Sequence, residues 1–172
     1  MATRSRQSKP KTSTRAPSAR SANGGPDAIV MLRDDHKRVS AMFRLFQKMM
    51  DKGSDAAKQK LVTQICSELT VHTTVEEEIF YPAARAALAR DGEDLLDEAE
   101  VEHASAKDLI AQLESASPSE DLYDAKVTVL AEYIKHHVKE EHEEMFPKCR
   151  KSGMDLKSIG GKMVARKKEL GA

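Results

Sequence analysis

The chain has 172 residues, of which 40% are hydrophobic, 33% are charged and 4% are aromatic, and it contains no Trp. This composition favours a helical protein, because a sheet protein would need more β-branched and aromatic side chains. The length fits one domain plus a tail, and the sequence shows neither a membrane-spanning apolar run nor a secretory signal. Two Cys residues without metal-type spacing predict free thiols in a reducing compartment, so we expect a cytoplasmic protein.

The formal net charge is zero, but the charges are unevenly distributed along the chain. Residues 1–26 carry six cations and no acid, and residues 148–172 carry eight cations and two acids, so the intervening region has a charge of −12. An acidic body is consistent with a carboxylate-rich cation site, and ordinary solvated helix faces produce the same signal.

The first segment, residues 1–26, consists largely of Ser, Thr, Ala, Arg and Pro. It has too few large apolar side chains to offset its chain entropy, so we predict that it is disordered. A solubilising tail is the preferred interpretation. Contact with nucleic acid or an anionic surface is a second interpretation, and a mitochondrial transit peptide is a third.

Helical periodicity begins after this tail. The first predicted helix starts near Asp27, carries apolar residues at three- and four-residue steps, and ends at Gly53. The second predicted helix has an apolar stripe up to Ile79. Pro82 then predicts a kink or a break, after which residues 83–90 continue as helix.

The third predicted helix carries an apolar stripe from Leu96 to Leu113, and the fourth begins at Pro118 and ends near Pro147. Short connections predict antiparallel neighbours, and therefore an all-α, up-down four-helix bundle. An amphipathic segment at about 155–169 is predicted to pack on one end of it. The predicted organisation is a disordered basic tail (1–26), the bundle (27–152) and a short C-terminal helical segment (153–172).

Six ionisable residues occupy positions that periodicity assigns to the core: His36, His72, Glu76, His103, His137 and Glu141. Burying even a neutral polar group without a partner costs roughly 2–7 kcal/mol, so six such groups need a common partner. Two His–Glu pairs have a spacing of four residues, which places both members of each pair on one helix face. A metal cluster is the partner that we predict.

The pattern occurs twice. His72-Thr-Thr-Val-Glu76 is followed by Phe80-Tyr81-Pro82, and His137-Val-Lys-Glu-Glu141 is followed by Met145-Phe146-Pro147. An acidic residue and a His lie upstream of each copy, as Asp35-His36 and Glu102-His103. The duplication predicts two helical hairpins that each contribute three ligands to a central, pseudo-twofold site.

These motifs resemble those of the hemerythrin-like, or HHE cation-binding, domain family over about residues 28–150. The resemblance implies a four-helix bundle that holds two iron ions, bridged by two carboxylates and an oxo or hydroxo group. By motif position it implies that the four His residues are terminal ligands and that Glu76 and Glu141 are the bridges. Imidazole and carboxylate ligands without thiolate also favour iron or manganese over zinc, and we prefer iron.

The sequence departs from the oxygen-carrying members of that family, which typically have His-x-x-x-His in the third helix and His-x-x-x-x-Asp in the fourth. Here Lys107 lies four residues after His103, so at least one terminal His is missing. The freed position could take water, the carboxylate of Glu77 or Glu102, or a phenol from Tyr81, Tyr123 or Tyr133. His142 is a further candidate ligand, whereas His136 is one residue off the stripe and is expected to be exposed or in an outer position.

We therefore expect a non-haem di-iron protein that binds or senses dioxygen, nitric oxide or peroxide. We favour a ligand-binding protein over a dedicated enzyme. The alternative is a redox enzyme, or an iron-donating stress-repair protein, that uses the same centre. A structural bundle with an incidental zinc site is the third interpretation. Nucleic acid is considered as a partner only of the basic tail, and no membrane partner is expected.

Overall fold

The computed structural model describes residues 25–172, so nearly all of the predicted tail (1–26) lies outside the described residues. The helices are α1 (Ala28–Met49), α2 (Asp55–Val75), α3 (Tyr81–Leu88), α4 (Glu93–Ser115), α5 (Tyr123–Glu140), α6 (Phe146–Lys151) and α7 (Leu156–Glu169). Two π-helical turns, π1 (Glu76–Phe80) and π2 (Glu141–Met145), join α2 to α3 and α5 to α6. A 3₁₀ turn (Ala89–Gly92) precedes α4.

The two π turns replace the kink or break that Pro82 predicted. In each turn the backbone N–H five residues on, from Tyr81 or Phe146, donates to the carbonyl of the Glu that opens the turn. A Pro follows immediately, at position 82 or 147, and it has no N–H to donate and would crowd the carbonyl four residues before it. The widened turn accommodates the ring without interrupting the helical rod.

Four rods form the bundle: α1, α2–π1–α3, α4 and α5–π2–α6. Contacts run from α1 to α2, from α2 to α4, from α4 to α5 and from α5 back to α1, which closes the bundle. Together with the short connections, this confirms the predicted all-α four-helix bundle.

The core has two apolar clusters that are separated by a polar layer. The first cluster includes Val39, Phe43, Leu69 and Ile134, and the second includes Leu32, Val75, Phe80, Leu96 and Met145. On every rod the sequence passes from one cluster to the other at a buried His. The layer of predicted ligands therefore lies in the middle of the bundle, shielded by apolar side chains on both sides.

The start of the fourth rod differs from the prediction. Its helix begins at Tyr123 and not at Pro118, because Leu122 adopts φ 72°, in the left-handed region that an α-helix does not use. Residues 117–122 form turns instead, and the Ser117 backbone N–H donates to the Glu120 carboxylate at 2.7 Å.

The predicted C-terminal helix is present as α7, which packs against α1, α2 and π1. Ile159 and Met163 are buried in the second apolar cluster. A Cβ atom on Gly160 would lie 1.8 Å from the Pro26 carbonyl oxygen, so only Gly permits this approach to the chain just before α1. Helix α7 is thus part of the folded body.

Both thiols, Cys66 and Cys149, are free and buried, and burial raises the pKa of each to about 11. This agrees with the predicted free thiols and makes them poorly reactive. Among the described residues, no helix combines the length and the apolar character that crossing a membrane would require.

Candidate metal centre

Every rod of the bundle contributes to the polar layer. Helices α1, α2, α4 and α5 provide His36, His72, His103 and His137, all of which are buried. The two Glu residues stand at the first position of each π turn and are also buried, Glu76 at 0% and Glu141 at 1% exposure. The structure therefore brings all six predicted residues together in one layer.

The six side chains form a closed ring. His36 Nε2 lies 3.0 Å from His72 Nε2, and His103 Nε2 lies 3.2 Å from His137 Nε2. Glu76 Oε2 is 3.1 Å from His72 Nε2 and 3.4 Å from His103 Nε2. Glu141 Oε2 is 3.3 Å from His36 Nε2 and 3.6 Å from His137 Nε2. Each carboxylate therefore lies between the two His pairs and touches one imidazole of each pair.

Three of the four carboxylate oxygens of this ring have no hydrogen-bond partner. Both oxygens of Glu76 and Oε2 of Glu141 are buried without one, although imidazole nitrogens lie close to them. Buried unpaired carboxylate oxygens are costly and indicate a missing cation or proton. Two ligands at right angles, each about 2.1 Å from one ion, would be about 3.0 Å apart, which is close to the spacing in this ring. The donor set thus fits small divalent or trivalent cations.

The close packing of ionisable groups in the ring shifts their pKa values. Burial and the charge of Glu76 raise the pKa of Glu141. Burial and the charge of His72 lower the pKa of His36 to about 2. For His72 burial also lowers the pKa, but Glu76 and Asp35 outweigh it and bring the pKa to about 10. The pKa values of neighbouring groups of the same type are therefore shifted in opposite directions, for His36 and His72 and likewise for Glu76 and Glu141.

Each of the four imidazoles also has a partner at Nδ1, on the outer side of the ring. His72 Nδ1 is 3.3 Å from Asp35 Oδ2, and His137 Nδ1 is 2.9 Å from Glu102 Oε2. These two contacts are equivalent in the two hairpins. Such outer partners fix the tautomer and orientation of a ligating imidazole, so that Nε2 points to the metal.

The other two outer contacts connect the hairpins. His103 Nδ1 is 3.0 Å from Glu77 Oε1, and His36 Nδ1 is 2.9 Å from His142 Nε2. Glu77 and His142 are equivalent residues, since each directly follows the Glu of its own hairpin. His142 is therefore placed as the partner of a ring imidazole and does not reach the ring itself.

Tyr81 enters the centre from the first position of α3, directly after π1. Its hydroxyl donates to Glu141 Oε1 at 3.1 Å and lies 3.3 Å from His103 Nε2 and 3.5 Å from His137 Nε2. The side chain is 1% exposed, and burial together with the charge of Glu141 raises its pKa well above the ordinary value. The equivalent residue, Phe146, stacks on His36 with ring centroids 6.1 Å apart and brings no polar group.

Lys107 does not reach the ring. Its Nζ contacts both carboxylate oxygens of Glu77, at 2.5 and 2.7 Å, and its side chain is 47% exposed. The amine therefore holds the outer partner of His103, while the phenol of Tyr81 occupies the space beside His103 and His137. Of the groups that the sequence offered for the missing His, Tyr81 is the one whose polar atom reaches the ring.

A small cavity adjoins the ring on the side of the first apolar cluster. Its walls are the ring imidazoles together with Val39, Leu69, Ile134 and Val138. It leaves about 10 Å³ for the centre of a water-sized sphere, which is about what one water molecule needs. Its size suits a diatomic molecule or water and excludes a larger substrate.

Sequence patterns identified the ring but not its surroundings. His136 is exposed, as expected, with Nε2 at 3.2 Å from Glu140 Oε1. The outer roles of Asp35 and Glu102 were signalled by the repeated acid–His dipeptide, although each acid contacts the His of the neighbouring helix and not the one beside it. The role of Lys167, which contacts Asp35 from α7, had no local signal.

Four rods around a buried layer of imidazoles and carboxylates define a helical-bundle protein with a candidate cation centre. The hemerythrin HHE cation-binding domain matches residues 27–149, and the chain belongs to that family. This confirms the resemblance seen in the motifs and supports metal-cation binding by the His and Glu clusters.

Two individual proteins are similar to this chain. A DNA nickase from Nostoc sp. (strain PCC 7120) is 31% identical over 122 residues, which are 70% of this chain and 32% of the nickase. The chain thus spans about a third of that relative's length. A crystal structure of a hemerythrin HHE cation-binding domain-containing protein from Mycobacterium kansasii has a TM-score of 0.67 at 23% identity, covering 84% of this chain and 86% of that chain. The second likeness shows the shared fold.

Proposed function

We propose that the ring binds two adjacent metal ions. His36 and His72 would hold one ion, His103 and His137 would hold the other, and Glu76 and Glu141 would bridge them. The observation that carries this proposal is the pair of buried carboxylates, each lying between one imidazole of each pair, with three of their four oxygens lacking a hydrogen-bond partner. A single ion held by His36, His72, Glu76 and Glu141 would leave the second group, His103 and His137 with Glu76, without a cation.

Iron is the metal that we propose. Imidazole and carboxylate ligands without thiolate suit iron and manganese better than a structural zinc site, which is closed and four-coordinate. A helical bundle with inward-pointing Glu and His is also the general design of di-iron carboxylate proteins. The two buried thiols are consistent with a reducing, cytoplasmic location.

We further propose that the centre binds or senses a small molecule such as dioxygen, nitric oxide or peroxide. A bound iron pair would supply one-electron redox chemistry and an open position for such a ligand. The chain's own contribution is to exclude water and larger molecules, because apolar clusters cover the ring on both sides and the adjoining cavity holds about one small molecule. Tyr81 would complete the centre where the oxygen-carrying members have another His.

A redox enzyme is the second candidate, and the position of Tyr81 favours it. Its hydroxyl carries a proton next to the ring, and it is already hydrogen-bonded to Glu141. A proton donor held beside a metal pair suits the reduction of peroxide, which consumes protons and electrons. An external reductant would have to supply the electrons.

Metal analysis of protein purified from cells supplied with iron, manganese and zinc tests the main proposal. We expect about two irons per chain, together with the near-ultraviolet absorption of a ferric pair. Stoichiometric zinc without iron would refute it.

The two candidate functions are separated by adding peroxide to the reduced protein in the presence of excess ascorbate. Continuous consumption of peroxide supports the enzyme. A single stoichiometric reaction, or reversible binding of nitric oxide alone, supports the binding and sensing role.

A further inference from the structure

The two proposed metal positions have similar ligands, but the charged groups outside them differ. Around the His36–His72 position, one carboxylate, Asp35, is contacted by two cations, Arg38 and Lys167. His142, the other outer partner there, contacts His36 through its imidazole and brings no carboxylate. Arg38 also pairs with Glu68 at 3.3 Å, so the two acids and two cations outside this position balance.

Around the His103–His137 position the acids outnumber the cations. Glu77 and Glu102 both contact ring imidazoles, and Lys107 is the one cation that pairs with either of them among the described residues. The outer groups of this position therefore carry a net negative charge. A divalent cation is stabilised by net negative surroundings and destabilised by net positive ones, most strongly where the groups are shielded from water.

Lys167 is the cation with the greatest effect on this imbalance. Its side chain is 15% exposed, whereas those of Arg38 and Lys107 are 52% and 47% exposed and are better screened by solvent. It comes from α7, outside the 27–149 range that the family matches, and its ammonium reaches the carboxylate that contacts His72. The C-terminal helix therefore places a poorly screened positive charge next to one half of the centre.

We propose that the two metal positions differ in affinity, with the His103–His137 position filling first, and that Lys167 makes the His36–His72 position the weaker one. This inference rests on the proposed two-metal centre. It gives the chain one firmly held ion and one that exchanges more readily, and it makes α7 the element that sets the difference.

The competing explanation is that Lys167 only orients Asp35 or fastens α7. The two explanations predict opposite signs. If Lys167 acts by its charge, then removing that charge tightens binding of the second ion. If it acts by holding Asp35 against His72, then its removal weakens binding of that ion, because a loosened outer partner commonly lowers metal affinity about 10- to 100-fold.

The experiment is a titration of metal-free, full-length protein with Mn²⁺, followed by calorimetry and by electron paramagnetic resonance, which distinguishes an isolated ion from a coupled pair. For the wild type we expect two binding steps, the first giving an isolated signal and the second a coupled one. We expect Lys167→Met to tighten the second step by about tenfold and to leave the first within about threefold. Lys167→Arg keeps the charge and should keep both steps.

Lys168→Met is the matched control, because Lys168 is the exposed neighbour on the same helix, and it should change neither step. The Glu102→Gln variant assigns the steps, since it should weaken the first one selectively. Circular dichroism of the metal-free variants checks folding. If Lys167→Met does not fold, then Arg38→Met, at a more exposed cation on the same carboxylate, should tighten the second step by a smaller factor.

The possible failures are distinguishable. A wild type that binds no Mn²⁺ and no Fe²⁺ refutes the proposed function. A wild type that binds two ions in equal steps leaves the proposed function intact and overturns this inference. Unchanged or weakened second-step binding in Lys167→Met likewise overturns it, and weakened binding would assign Lys167 to holding Asp35.

Discussion

The two hairpins of the bundle present the same ring residues and different neighbours. In the first hairpin, α1 with α2–π1, the residue after the ring carboxylate is Glu77 and the residue after the π turn is Tyr81. In the second hairpin, α4 with α5–π2, the equivalent residues are His142 and Phe146. The duplicated positions are those that a pair of ions would need, whereas the differing positions change the charge and the polar groups that contact the imidazoles.

The difference is concentrated on one side of the centre. Residues of the first hairpin reach across to the imidazoles of the second, so Glu77 and Tyr81 both act on His103. In the opposite direction His142 and Phe146 act on His36, with an imidazole and an apolar ring. A near-symmetric scaffold thus places a carboxylate and a phenol beside His103, but an imidazole and an apolar ring beside His36. The predictions below test this contrast, from the largest expected effect to the smallest.

The largest effect is expected where the hairpins are equivalent. Glu76→Gln and Glu141→Gln should each reduce metal content well below two ions per chain, because each carboxylate balances the charge of both ions. Since bound metal stabilises only the folded state, the melting temperature of the metal-loaded protein should fall in both variants. Elemental analysis and thermal melting measure the two effects.

Glu78→Gln is the matched control for these variants. Glu78 is on the same π turn but points outward to Arg166, with oxygen–nitrogen distances of 2.7 and 3.0 Å. Its substitution should leave metal content unchanged. Similar metal loss in all three variants would contradict the assignment of Glu76 and Glu141 as the metal-binding carboxylates.

The next effect is expected at the Tyr81–Phe146 pair, where the hairpins differ most. Tyr81→Phe should keep about two metal ions and slow the reaction of the reduced protein with peroxide by about 10²-fold, because the proton donor is lost. Stopped-flow absorption measures the rate. Phe146→Tyr, the mirror substitution, should not raise it. An unchanged rate in Tyr81→Phe would exclude the phenol from the chemistry.

A smaller effect is expected at the Glu77–His142 pair. Glu77→Gln should lower the affinity for the first ion by about tenfold, because it removes a charged outer partner of His103. His142→Gln should change either step less, since it removes no carboxylate and leaves a side chain that can still hydrogen-bond to His36. Calorimetric titration with Mn²⁺ compares the two variants, and equal losses would contradict the asymmetry described above.

The repeated part of the centre could be predicted from the sequence, and the asymmetric part could not. The four-residue spacing in His72–Glu76 and in His137–Glu141 determines a shared helix face, so the ring follows from helical geometry alone. Tyr81 was one of three phenols that remained open. The π turn decides between them, because it places the residue five positions after Glu76 over the ring, and the Pro pattern predicted only a kink or a break.

Long-range contacts explain the other omissions. Lys167 is 132 residues from Asp35 along the chain, and no periodicity in α7 reveals that its ammonium lies beside that carboxylate. The late start of the fourth rod depends on the backbone conformation of Leu122, a residue type that rarely adopts positive φ. Pairings between distant elements and unusual backbone conformations are properties of the packed molecule and not of local sequence.

The smallest effect is expected from the basic N-terminal segment, and it tests whether the contrast between the two halves is local. Residues 1–24 contain six cations and no acid, so a long-range field from them would also repel metal ions. Surface charges are screened over about 8 Å at physiological ionic strength, whereas Lys167 is in direct contact with Asp35. Deleting residues 1–24 should therefore leave the melting temperature, the metal content and the ratio of the two binding steps unchanged within about twofold.

The deletion must stop there, because Asp27 caps α1 through the Val30 N–H at 3.1 Å and pairs with Arg150 at 3.0 Å. Removing residues 1–27 should cost about 1–2 kcal/mol of unfolding free energy, measurable by urea denaturation. A narrower gap between the binding steps after the shorter deletion would show that the difference between the halves is set by distant charge and not by the outer groups of each position.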